Sequence, residues 1–362
     1  MASLILFLGA RSKDFSDSKS REYFVFILAL GTLIRLVLAW YSTGNYDRES
    51  WEIVAKIAAA GGNVYAESAR YNSSPVWFWV LGLLQHLADT VHLPLRFLFR
   101  VFLSVVDLGT AGLLYTLAGK DASFRFRAGL FFFLNPVSFL LTGYHGQFDN
   151  FAIFFLVLAL WGKDRFQTGW AWFWTTVGFI VKHIIFYELL ILILNTVRQR
   201  WARLLFFVTS CLLFAAVFLP YWKEGKEGIL KNVLFYRSYT MPYGLSAFGP
   251  SKALTAVFVI ALFLYPFFIR KREVWEQALL GTLFFLTFTT GVGVQYFILP
   301  IALGAARPSR GFFVYSLVTS GFLLGSYFNM GIKAFSWIPM WSVWVAAAFW
   351  WVSVHSQPPK AA

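Results

Sequence analysis

The chain has 362 residues, of which 59% are hydrophobic and only 13% are charged, whereas soluble domains average about 25% charged residues. This composition excludes an ordinary soluble domain. Apolar runs of about 15–20 residues recur to the end and predict an all-α, multi-spanning membrane protein. The net charge of +14 requires no nucleic-acid partner, because cytoplasmic loops of membrane proteins are rich in Lys and Arg. The single cysteine, Cys211, excludes an intrachain disulfide and a cysteine metal site.

Apolar runs predict a bundle of about twelve transmembrane helices. The segment 75–90 is a further candidate. If it lies along the membrane surface, the short basic loops all fall on one side, which the positive-inside rule assigns to the cytoplasm. We therefore interpret 75–90 as an interfacial helix. The twelve predicted spans lie near 23–42, 97–119, 128–143, 149–163, 168–182, 184–197, 203–221, 251–269, 274–290, 292–306, 311–328 and 336–354.

The whole chain, 1–362, is expected to form one transmembrane domain with two long loops on the outer side. The first loop, 43–95, includes interfacial helices, and the second is 222–249. In the second loop, "GKEG" at 225–228 and "MPYG" at 241–244 are expected to break regular structure.

Three polar clusters interrupt the apolar sequence. "YDRESWE" follows the first span, "TGYHGQFDNFAIFF" leads into the fourth, and "VKHIIFYE" lies between the fifth and sixth. The predicted topology places all three on the outer face of the membrane. With two residues from other outer segments, the candidate site residues are Asp47, Glu49, His145, Gln147, Asp149, Lys182, His183, Arg237 and Gln295.

Several of these residues have a structural alternative. Asp47 and Asp149 could each cap the helix that follows them, because Asp is a good N-cap residue. Lys182 and His183 could extend their polar ends toward the membrane interface.

Other polar and aromatic residues favour structural roles. Arg35 and Asp107 lie within predicted spans, away from the outer clusters, and are expected to pair inside the bundle. Trp51, Trp77 and Trp222 are expected to be interfacial anchors rather than sugar platforms.

Carboxylates opposite cations at a membrane surface suit the transfer of a group from a phosphorylated lipid to an alcohol. A carboxylate accepts the proton of the acceptor hydroxyl. Lys, Arg and His hold the lipid phosphate and stabilise it as it leaves. The sequence lacks a Gly-rich nucleotide cradle, which argues against a nucleotide-sugar donor.

The motifs "NYDRESWE", "LNPVSFLLTGYHGQFDN", "VKHIIFYELL" and "FLPYWKEGKEGILKNVLFYRS" resemble, in order and sidedness, those of the GT-C superfamily of integral membrane glycosyltransferases. The likeness is greatest to the dolichyl-phosphate-glucose glucosyltransferase and mannosyltransferase branch. This resemblance implies inverting hexosyl transfer from a polyprenyl-phosphate sugar, with Asp47 as general base. It also implies that His145 and Lys182 lie at the donor site.

The sequence departs from the family pattern at two places. The Trp-Trp-Asp signature of oligosaccharyltransferases is absent, which argues against peptide glycosylation. The "HGQF" motif is followed by Asp149, where the glucosyltransferase branch usually has no acid, so Asp149 is a second candidate catalytic carboxylate. We assign no metal ligand and no certain cofactor, although a divalent cation bound by Asp47, Glu49 and Asp149 stays open.

The expected partners are a polyprenyl-phosphate sugar donor, a lipid-linked or surface glycan acceptor and membrane lipid, with no nucleic acid. The expected location is a bacterial or archaeal plasma membrane with the site outside, or the endoplasmic reticulum membrane with the site lumenal. The main alternative is a transporter or flippase of a lipid-linked sugar. Transporters often contain two similar halves, and none are evident in this sequence. A non-catalytic scaffold subunit is a third alternative.

Overall fold

A computed structural model of the chain describes residues 17–42, 46–117, 122–163, 168–236, 243–249, 251–327 and 335–358. Within these ranges all regular secondary structure is helical, and no strand occurs. The all-α class predicted from the sequence is therefore confirmed.

Each of the twelve predicted apolar runs overlaps at least one helix of the structure. Short 3₁₀ and π-helical turns extend several of the α-helices. The α-helices are α1 (Asp17–Tyr41), α2 (Tyr46–Ala59), α3 (Val64–Glu67), α4 (Pro75–Val91), α5 (Leu95–Leu117), α6 (Ala122–Phe133), α7 (Pro136–Phe139), α8 (Asp149–Lys163), α9 (Thr168–Val181), α10 (Phe186–Thr196), α11 (Arg200–Ala216), α12 (Trp222–Gly228), α13 (Lys252–Ile269), α14 (Val274–Phe288), α15 (Leu299–Ala306), α16 (Arg310–Phe322) and α17 (Met340–His355). Four of them, α2, α3, α4 and α12, lie in the two predicted outer loops.

Several helices are long and apolar enough to cross a membrane. Among the described residues there are four such helical runs, Ser18–Tyr41, Leu95–Leu117, Arg200–Leu234 and Lys252–Ile269. A fifth candidate is the pair formed by α6 and the helix after it, which is bent by 41°. The other apolar helices, including α14, are shorter than the usual span of about 20 residues. The structure thus supports a membrane protein with four or five candidate spans.

The bend between α6 and α7 follows from the sequence "LNPV". Pro136 has no N–H to continue the helix, and Asn135 caps the new helix by accepting a hydrogen bond from the backbone N–H of Val137 at 3.0 Å. After α7 the chain continues as the π-helical turn Leu140–His145. This turn brings His145 to the end of a broken helix.

The predicted pairing of Arg35 with Asp107 is confirmed. Both side chains are fully buried, and Arg35 Nη2 lies 3.2 Å from Asp107 Oδ2. Arg35 also donates to the carbonyl of Phe133 at 2.6 Å and to Ser138 Oγ at 2.8 Å. The pair therefore joins α1 and α5 to both sides of the bend.

The first outer loop folds into a small helical substructure in which α2 packs along α4. Their backbones approach closely at Gly82, where an added Cβ would lie 3.2 Å from the Ala58 Cβ. Trp51 and Trp77 are buried between these helices, so their predicted role as interfacial anchors is wrong. They pack on other aromatic rings because α2 and α4 together have enough apolar surface to enclose them. Trp222 remains partly exposed.

The described parts of the second outer loop, 222–236 and 243–249, are more regular than the sequence predicts. The first two residues of "MPYG" lie outside the described residues. "GKEG" does not break the chain but forms the end of α12, so that prediction is wrong. Gly225 and Gly228 let α12 lie directly against Tyr65, where any larger side chain would clash with the Tyr65 backbone or Cβ. Close packing outweighs the low helix propensity of glycine at these positions.

Candidate functional site

The centre of the candidate site is the carboxylate of Asp47. Its Oδ2 lies 2.9 Å from His145 Nε2 and accepts a hydrogen bond from Gln147 Nε2 at 2.7 Å. His145 and Gln147 are buried, whereas the Asp47 side chain is 36% exposed. Two buried polar groups thus hold a carboxylate that solvent or a substrate can still reach.

Local backbone structure explains how the three residues meet. Asp47 lies in the first turn of α2. His145 ends the π-helical turn, and Gly146 then adopts a left-handed conformation with φ of +77°. Only glycine takes this conformation at little cost, and a Cβ here would also clash with the ring of Phe99. The turn at Gly146 directs both His145 and Gln147 toward Asp47.

The environment favours the ionised form of Asp47. Partial burial alone would raise the pKa of its carboxyl. The hydrogen bond and charge of His145 oppose that effect, together with the charge of Lys182 and the hydrogen bond from Gln147. The net result is a pKa below the ordinary aspartate value, so Asp47 is a carboxylate at neutral pH.

A second charge pair lies beside the first. Lys182 Nζ is 3.6 Å from Asp149 Oδ1 and 4.3 Å from the centre of the Phe148 ring. Both side chains of the pair are buried. Since the charge of Lys182 also acts on Asp47, the two pairs belong to one electrostatic cluster.

The structural alternatives for three of these residues are not supported. The Asp47 carboxylate bonds side chains from another element. Neither carboxylate oxygen of Asp149 accepts a hydrogen bond from the described residues, as a capping oxygen would. Lys182 is buried beside Asp149 and does not extend to an interface.

The other described site residues that were predicted make their own contacts elsewhere than with Asp47. Glu49 is exposed and forms ion pairs with Arg48 and Arg70. The ring of His183 packs against Phe214. The side chain of Gln295 folds back against its neighbour Gly293. Arg237 lies outside the described residues.

The aromatic support beneath the cluster was not predicted from the sequence. Phe148 stacks on Trp77 with ring centres 4.7 Å apart and an interplanar angle of 9°. Trp51 meets the same ring edge-on at 5.7 Å. The signal was the phenylalanine between Gln147 and Asp149, because an aromatic residue inside a polar motif needs a packing partner. Helix α4 thereby supports the site through Phe148.

The three carboxylates that were considered as ligands of a divalent cation are not grouped together in the structure. Glu49 pairs with arginines, and Asp149 pairs with Lys182, so neither carboxylate joins that of Asp47. Within the described residues, no group of three or more His, Cys, Asp or Glu side chains is arranged to hold a metal ion. No step of the chemistry below is therefore assigned to a metal.

No protein-family model matches the chain, and no curated protein is detectably similar to it in sequence. Its chemistry must therefore be argued from the site itself. The site combines an accessible, ionised carboxylate with a buried ammonium group a short distance away. This arrangement can take a proton from a hydroxyl on one side and stabilise an anion on the other.

Proposed function

We propose that the chain is an inverting membrane glycosyltransferase. It moves a hexose, glucose or mannose, from a polyprenyl-phosphate donor to a hydroxyl of a lipid-linked or surface glycan. The observation that carries this proposal is the Asp47 carboxylate, held by His145 and Gln147 beside Lys182. The motif resemblance to the GT-C superfamily agrees with it.

The proposed reaction is a single displacement. The acceptor oxygen attacks the anomeric carbon while Asp47 takes its proton, and the bond from that carbon to the phosphate oxygen breaks. The bonding electrons leave with the phosphate, whose added negative charge Lys182 stabilises. Attack opposite to the leaving group inverts the anomeric configuration. His145 and Gln147 hold Asp47 in position and keep it ionised.

The proposed reaction also implies how the chain is arranged in the membrane. The shorter apolar helices would complete a bundle of about twelve spans, and the site would open on the non-cytoplasmic face. A lipid donor needs no nucleotide there, because the phosphate leaving group is already part of the lipid. The membrane would be a bacterial or archaeal plasma membrane or that of the endoplasmic reticulum.

The test is transfer by the purified protein in lipid vesicles. Polyprenyl-phosphate glucose and polyprenyl-phosphate mannose, each radiolabelled, are supplied with a lipid extract that contains glycolipid acceptors. We expect label to move into a larger glycolipid with inverted linkage. Movement of intact donor across the bilayer without covalent transfer would instead identify a flippase. Absence of both transfer and movement would refute both activities for these donors.

A further inference from the structure

Arg100, in α5, is a buried cation that forms no salt bridge with an acid in the part of the chain that the structure describes. Its side chain is fully buried, and Nη1 donates to the carbonyls of Ala39 at 3.3 Å and Ser42 at 3.1 Å. Its Nε and Nη2 find no hydrogen-bond acceptor among the described residues. Arg35 is equally buried, but it has Asp107. A buried charge is costly unless it is paired, and no carboxylate among the described residues forms a salt bridge with Arg100.

Two more arginines surround this charge. The guanidinium groups of Arg48 and Arg96 both repel that of Arg100, and Glu52 is the carboxylate that attracts it. Arg96 lies four residues before Arg100 in the same helix and therefore on the same helical face. Arg48 and Arg96 are partly exposed. Arg48 forms ion pairs with Glu49 at 3.8 Å and Glu52 at 3.9 Å, whereas Arg96 shares the helical face of Arg100.

The arginine cluster formed by Arg96 and Arg100 lies next to the candidate site. Arg100 Nε is 3.4 Å from the position that a Cβ on Gly146 would occupy, between His145 and Gln147. In the proposed topology, Arg96 and Arg100 are at the outer end of their span, where the positive-inside rule does not explain basic residues. Excess positive charge at that place needs another reason.

We propose that Arg96 and Arg100 form an anion site for the phosphate of a lipid headgroup. Arginine binds phosphate through paired N–H groups, and the partly exposed Arg96 receives the phosphate while the phosphate charge compensates Arg100. Lys182 is less suited to be the first anion ligand because Asp149 already compensates its charge. The anion site follows from uncompensated charge alone, so it goes beyond the proposed transfer and does not depend on it.

The test measures dissociation constants for the purified full chain in an uncharged detergent. The probes are a short polyprenyl phosphate, the matching neutral polyprenol, phosphatidic acid and inorganic phosphate. We expect R96Q and R100Q each to weaken polyprenyl-phosphate binding about 10- to 100-fold, the range for losing a charge-assisted hydrogen bond. Binding of the neutral alcohol should be weak and unchanged. The control is R307Q, because Arg307 forms an exposed ion pair with Glu273 on elements that do not include the arginine cluster, and binding by this variant should equal that of the wild type.

Each result of these binding measurements supports or overturns the anion site. Competition by phosphatidic acid shows that any lipid phosphate is accepted, and competition by inorganic phosphate shows that the lipid chain is not needed. Unchanged affinity in R96Q, or equal binding of the alcohol and its phosphate, overturns the anion site. R96Q still decides the matter if R100Q does not fold, since the Arg96 side chain is partly exposed. The transferase proposal fails separately, if wild-type protein binds the lipid phosphate but transfers no sugar.

Discussion

At the residue scale, the role of Asp47 is tested by D47N. The amide keeps the size of the side chain but cannot accept the acceptor's proton. We expect transfer to fall by about 10²–10⁴-fold, the usual effect of losing a general base. Donor binding should persist, because the cations around Asp47 remain. Transfer is measured from radiolabelled polyprenyl-phosphate sugar, with donor binding and melting temperature measured on the same protein.

The matched control is D89N. Asp89 is an exposed acid in α4 that accepts a hydrogen bond from Gln85 at 2.8 Å, away from the cluster. This variant should transfer sugar at the wild-type rate. D149N should reduce transfer less than D47N, because we assign Asp149 to orientation of Lys182. Near-normal transfer by D47N, with D149N inactive, would show that Asp149 rather than Asp47 is the general base.

The lowered pKa of Asp47 predicts a pH dependence of stability. The unfolded chain has an ordinary aspartate pKa of about 3.9, and the folded pKa is lower. The ionised carboxylate therefore stabilises the folded protein fully above the unfolded pKa, and this stabilisation is lost as pH falls through the folded pKa. The wild-type melting temperature should exceed that of D47N at about pH 5. The difference should shrink below about pH 4, and a difference that grows on acidification would contradict the lowered pKa.

Sequence alone could place Asp47, His145, Gln147, Asp149 and Lys182 on one face, because topology follows from apolar runs and basic loops. It could not pair them, since pairing depends on the angle at which broken helices meet. The sequence also could not show which tryptophans are buried. A tryptophan in an outer loop has the same sequence signal whether it anchors an interface or fills a small core.

At the scale of elements, the turn after His145 depends on Gly146. G146A should lower stability by about 1–3 kcal/mol, because a left-handed backbone strains alanine and its Cβ meets the Phe99 ring. Transfer should fall as well, since the turn aims His145 and Gln147. The control is G112A in α5, where nothing lies within 4 Å of an added Cβ, and melting temperature should not fall. Equal effects of the two substitutions would show that the turn tolerates a side chain.

The buried pair that joins α1 and α5 to the bend gives a second prediction. D107L should lose about 3–5 kcal/mol of stability, because Arg35 would stay buried without its counter-charge. The double variant R35M/D107L should recover most of that loss, which melting temperatures in one detergent can measure. E273L removes an acid from the exposed pair with Arg307 and should cost less than about 1 kcal/mol. Failure of the double variant to recover would mean that the carbonyl and hydroxyl contacts of Arg35 dominate.

Element boundaries were predictable where composition changes sharply. The predicted run 149–163 coincides with α8, because polar residues flank a continuous apolar stretch. The bend at Pro136 could not be predicted, although the proline is visible, since proline alone does not say whether a span ends or bends. The prediction that "GKEG" breaks regular structure was wrong for another reason. The contact that stabilises α12 is with Tyr65, which is distant in sequence.

For the whole molecule, the topology is testable with single cysteines in a C211A background. The structure shows which positions are accessible. Ala66, in α3 of the first outer loop, and Lys271, in the loop before α14, are both exposed. We expect A66C to react with a membrane-impermeant reagent from outside and K271C only after the membrane is opened. Tyr65 itself is buried, so Y65C serves as an unreactive control. Labelling of A66C only from the cytoplasmic side would invert the proposed topology.

The long helical run Arg200–Leu234 has a practical consequence for imaging. Its 35 residues extend about 50 Å at 1.5 Å per residue, whereas a bilayer's hydrocarbon core is about 30 Å thick. If the run crosses the membrane upright, about 20 Å of it must therefore lie outside that core. This part includes α12, which packs against Tyr65 of the first outer loop. In electron micrographs of detergent-solubilised particles, such a projection would rise above the micelle on one side. Images of small membrane proteins are hard to align because the micelle surrounds them. This projection would provide a feature outside the micelle on which the images can be aligned.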